Sequence, residues 1–149
     1  MLKPFILALL VLVSLVGFRS ASVAQEVVDS IIARDVVDMN PVNPFEPGVT
    51  CENGAEPSGP MPVIDSQEEG RVFFWTRINS SGDGMLRHSW YKDGVEMAVV
   101  DLELVESSAF RTWSSKNIDP NFHTGNWKVV VTSASDPSDI ICAAHFLVN

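Results

Sequence analysis

The chain has 149 residues, 46% of them hydrophobic and 19% charged, with 10 Lys and Arg against 19 Asp and Glu and a formal net charge of -9. This length accommodates one domain, with or without a tail. The acidic excess lacks the clustered cations that phosphate neutralisation needs, which excludes a nucleic-acid footprint, and the supply of aromatic and β-branched residues excludes wholesale disorder. The first segment has the pattern of a secretory leader. Lys3 precedes an apolar run from Phe5 to Phe18, and Ser22-Val23-Ala24 puts small residues where a signal peptidase reads. That run is shorter than the roughly 20 residues a bilayer span requires. Residues 1–24 are therefore expected to be a signal peptide cleaved near Ala24, leaving a secreted or periplasmic protein with no integral membrane span. Cys51 and Cys142 are the only cysteines, and in an oxidising compartment they are expected to form a disulfide.

Residues 25–70 read as an acidic, Pro-rich N-terminal segment. They hold ten acids against the single Arg34, whereas residues 71–149 hold nine acids and seven bases. Between Gln25 and Met39, helical spacing of Val28, Ile31, Ile32, Val36 and Met39 competes with a Val and Ile content that favours a strand, and periodicity does not decide between them. Six prolines from Pro41 to Pro62 exclude a regular helix there. From Arg71 onward the pattern is β. Strands are predicted at Val72–Ile78, Met85–Lys92, Val95–Val105, Phe110–Ser115, Asn126–Ser133 and Ile140–Val148, with a seventh at Ile31–Val37 or Val49–Glu52. Ser80 to Gly84 and Asp136 to Asp139 supply loops, and Asp93-Gly94 a two-residue primed turn. The predicted fold is all-β, an immunoglobulin-like antiparallel sandwich of about seven strands, with the sandwich domain at residues 71–149 and the first strand contributed by the segment before it.

A set of motifs in order carries a resemblance. Phe73-Phe74-Trp75-Thr76, His88-Ser89-Trp90 followed by Gly94, Phe110-Arg111-Thr112-Trp113-Ser114-Ser115-Lys116, Gly125-Asn126-Trp127-Lys128 with its Val run, and Phe146-Leu147-Val148 resemble the bacterial domain-of-unknown-function family 2914. The likeness spans roughly residues 71–148. It implies a small extracytoplasmic β-sandwich, often fused to other envelope modules, and brings no established activity. The Pro-rich, Cys51-containing insertion before Arg71 departs from the family pattern.

Candidate sites are few. Ser114 or Ser115 beside Lys116 could act as nucleophile and base, but no nucleophile elbow or glycine-built oxyanion hole accompanies them. His88, His123 and His145 lack the close spacing of a metal site, and no metal or cofactor is implied. Trp75, Trp90, Trp113 and Trp127 suit a sandwich core, with Trp90 or Trp113 left for the surface. On a regular strand Arg111, Trp113 and Ser115 share one face, with Thr112, Ser114 and Lys116 on the other, and His88 shares a face with Trp90. The expected function is non-catalytic binding of an envelope glycan or protein through His88, Trp90, Arg111, Trp113 and Lys116. The alternatives are assembly through exposed strand edges and a Ser-Lys hydrolase.

Overall fold

The structure, a computed structural model, describes residues 23–149, so the expected leader lies outside the described residues except for Val23 and Ala24. Among the described residues there is no helix. β1 (Gln25–Val37) and β2 (Asn40–Pro44) form a hairpin, and β3 (Val63–Ile64) is a two-residue piece. β4 (Arg71–Ser80), β5 (Gly84–Lys92), β6 (Val95–Leu104), β7 (Ser107–Asn117), β8 (Gly125–Ser133) and β9 (Ile140–Val148) follow. They build two sheets, sheet A in the order β2-β1-β4-β7 and sheet B in the order β3-β9-β8-β5-β6.

Without β2 and β3, the order β1-β4-β7 facing β9-β8-β5-β6 is that of a seven-stranded immunoglobulin-like sandwich, with a buried Trp on β5 where such folds carry one. The β-rich composition of the Gln25–Met39 segment prevails over its helical spacing, because β1 finds partners on both sides, β2 and β4. The two strands beyond the expected seven come from the Pro-rich segment. β2 is an edge strand, where the missing N–H of Pro41 and Pro44 costs no central ladder bond. β3 pairs in parallel with Leu147 and Val148 at the end of β9.

Alternation along each strand fills the space between the sheets. Val72, Phe74, Thr76 and Ile78 of β4 face Leu86, His88 and Trp90 of β5, Trp127, Val129 and Val131 of β8, and Ala144, Phe146 and Val148 of β9, all buried. Trp90 meets Trp127 and Phe146 edge-on with ring centroids 6.5 and 6.2 Å apart, while Trp127 and Phe146 stack at 5.9 Å. Aromatic pairs in these geometries add about 0.5–1.5 kcal/mol each to the burial of their area.

The expected disulfide is present, joining Cys51 to Cys142 across 91 residues of sequence. It fastens the Pro-rich segment to β9 together with a two-residue bridge between Glu52 and Ala143 and a bond between His145 Nε2 and the Gly59 carbonyl. The primed turn expected at Asp93-Gly94 is also present, with φ of 48° and 81°. A second turn with positive φ, at Asp38 and Met39, closes the β1–β2 hairpin. Its tip lies over the outer surface of sheet A: Trp75 Nε1 donates to the Met39 carbonyl at 2.9 Å, and Arg111 Nη1 donates to Asn40 Oδ1 at 2.9 Å.

Candidate functional site

The residues nominated from sequence separate into three places. His88 and Trp90 do share one face of β5, but it is the inner one. Both are completely buried, which corrects their assignment as ligand contacts. Their polar atoms converge on Ser114 of β7, whose Oγ lies 2.8 Å from His88 Nδ1 and accepts a 3.0 Å bond from Trp90 Nε1. The His88 ring packs 5.0 Å from Phe74, and burial pushes its pKa down to about 3, so the imidazole stays neutral near pH 7. Ser114 is thus occupied in the core rather than open as a nucleophile. Lys116 follows on the same side of β7, while Ser115 points to the outer face, opposite Phe73.

Arg111 and Trp113 share one face, as their alternation predicts; it is the outer one, and both are half-buried. β-sheet register sets what surrounds them. Across β1, β4 and β7 the first row is Asp29, Arg77 and Arg111, the second Ile31, Trp75 and Trp113, and the third Ala33, Phe73 and Ser115, with Arg71 opposite Asn117 beyond. Trp75 is only 4% exposed although it faces outward, because the Met39 turn covers it. Trp113, on the edge strand, keeps part of its surface open beside half-buried Phe73. The result is a strip of aromatic surface bordered by Arg71, Arg77 and Arg111. Arg77 is within 3.6 Å of Asp29, Arg71 donates to Asn117 Oδ1, and Arg71 lies 5.9 Å from the Phe73 ring centroid. Like charges directly opposite on neighbouring strands are unfavourable, and Arg77 faces Arg111 in this way. Arg71, Phe73 and Arg77 were not nominated, although their alternation with Trp75 on one strand signals a shared face.

Residues 83–146 match the model of the family described as protein of unknown function, DUF2914. Over that stretch the chain is similar to the DUF2914 family. The DUF2914 match runs from the loop before β5 into β9, narrower than the expected span from residue 71, and it includes His88, Trp90, Arg111, Trp113 and Lys116. The β4 residues Arg71, Phe73, Trp75 and Arg77, which complete the outer strip, lie before the DUF2914 match, so the surface is built from both sides of its boundary. No curated protein matches the chain.

Clefts among the described residues lie elsewhere. One of about 630 Å³ opens at the end of the sandwich between the β4–β5 and β8–β9 loops and is lined by Asp83, Asp101, Asp136 and Asp139. Two smaller grooves, of about 290 and 340 Å³, lie on the outer face of sheet B on either side of Lys128 and Tyr91. Lys128 is committed there to Glu56 at 2.8 Å. No helix among the described residues is long and apolar enough to cross a membrane.

Proposed function

We propose that this protein is a non-catalytic binding module of the extracytoplasmic space whose ligand lies on the outer face of sheet A. The observation that carries the reading is the register that puts Trp113 and Phe73 among Arg71, Arg77 and Arg111 on one face of a chain whose net charge is -9. A partly open indole suits the apolar face of a pyranose ring, and the guanidinium groups suit carboxylates, which they bind in a planar, two-pronged manner. A glycan bearing acidic groups is the ligand class that uses both. The disulfide is compatible with an oxidising compartment.

The experiment is affinity electrophoresis or calorimetry against an acidic polysaccharide and a neutral one. Binding of the acidic chain, weakened by salt and lost in Trp113→Ala with an unchanged near-ultraviolet circular dichroism spectrum, supports the reading. Absence of binding to both glycans overturns the glycan assignment.

A further inference from the structure

Both strands at one side of the sandwich are edges. Among the described residues β6 pairs only with β5, and β7 only with β4. They meet at a tight corner, Leu104 to Ser107, where the chain passes from sheet B to sheet A, so β6 runs toward this corner and β7 away from it. The two edges have opposite character. β6 carries Glu96, Asp101 and Glu103 and exposes Val99 (43%), whereas β7 carries Arg111 and Lys116 beside the partly open Trp113. Two β6 edges placed together would set acids against acids, which natural edge strands use to repel their own kind. An acidic edge next to a basic one attracts.

We propose that two copies of this chain associate about a two-fold axis parallel to the strands, so that β6 of each pairs antiparallel with β7 of the other. This operation keeps strand direction, brings sheet B of one copy level with sheet A of the second, and joins the same two edges twice, closing the assembly. One register keeps the two corners level and matches three pairs. Asp101 stands opposite Arg111, Val99 opposite Trp113, and Leu102 opposite Phe110, each pair on a common face. The first sets an anion directly opposite Arg111, whose in-register neighbour within its own sheet is Arg77, with Asp29 one strand further on and paired to Arg77. Asp101, half-exposed and held by Arg87 at 2.7 Å, then lies between two cations. The second covers an exposed Val with an indole. The third joins two side chains that already pack against the core of their own sandwich. The outer faces of sheets A and B become one surface, on which Arg111 and Trp113 of the proposed glycan face lie at the seam between copies.

Light scattering and sedimentation of the described chain at high micromolar concentration test the proposal. The expected mass is twice that of the chain, falling to a single chain in Asp101→Arg and in Arg111→Asp, each with an unchanged near-ultraviolet circular dichroism spectrum. Mixing the two variants restores the doubled mass, because in the mixed pair one junction is native and the other has its charges exchanged. The milder Asp101→Asn, which leaves Arg87 a hydrogen-bond acceptor, weakens association about tenfold and carries the test if the reversals disturb folding. A wild-type chain that remains single, or a dimer indifferent to all three substitutions, overturns the proposal; neither result bears on glycan binding.

Discussion

His88 and Ser114, 26 residues apart on different sheets, are joined by a 2.8 Å contact in the interior of the sandwich. With Trp90 Nε1 donating to the same oxygen, one hydroxyl ties β5 to β7 across the core. Among the described residues His88 Nε2 has no partner, so this polar cluster is only partly satisfied, and charging the ring would bury an uncompensated cation.

The first prediction concerns acid. The His88 pKa is lowered from 6.5 to about 3 by burial, so between these values the unfolded chain binds a proton that the folded chain refuses. Stability is full above pH 6.5, falls as the pH drops through that window, and levels off near pH 3. The slope from this residue is about 1.4 kcal/mol per pH unit. Urea unfolding at pH 7, 5.5 and 4.5 should show the decline, and His88→Gln should flatten it between pH 6.5 and 4.5, before most carboxylates titrate. His123, lowered chiefly by burial, acts in the same direction and remains in the variant as a residual slope.

Trp90→Ala removes the indole that Trp127 and Phe146 meet edge-on and leaves Ser114 without its donor. A loss of about 3–5 kcal/mol is expected. Trp113→Ala, on the outer face, should cost under about 1 kcal/mol. Chemical denaturation of the two variants side by side checks the contrast, and equal losses would contradict their assignment to core and surface.

Removing the disulfide should cost about 2–5 kcal/mol. The comparison is the thermal midpoint of the wild type with and without reductant, together with that of a Cys51→Ala, Cys142→Ala double variant. Reductant should lower the first and leave the second unchanged.

Gly125 has φ of 140°, and a Cβ there would lie 2.5 Å from Asp93 Oδ2. That carboxylate accepts a bond from the Asn126 amide, so Gly125→Ala both strains the backbone and displaces the group that fixes the start of β8. A loss of about 1–3 kcal/mol is expected, measurable by urea denaturation.

Much of the sandwich was legible because alternation and turn chemistry agree from Arg71 to Val148. The six strands expected there are present, most of them a residue or more longer than expected, and Asp93-Gly94 makes the turn its residues favour. β2 was hidden because Pro41 and Pro44 count against a strand until it is known to be an edge. β3 was hidden because two residues carry no period. The pairing of His88 with Trp90 on one face was readable, but which face became the interior was not: period 2 says which side chains travel together, and only the partner sheet says which set is covered. The same limit hid the site. Arg77 opposite Arg111 and Trp75 opposite Trp113 are facts of strand register between segments more than thirty residues apart.

The bond between Cys51 and Cys142 encloses every strand from β3 to β8 and the start of β9 in one covalent ring. A protease that cuts once in the β4–β5 or β7–β8 connection opens this ring without releasing a fragment, and the nicked chain stays one molecule with its core elements tethered. Only a second cut, or reduction, sets a piece free. A single cleavage inside the ring therefore leaves both parts of the sandwich covalently joined.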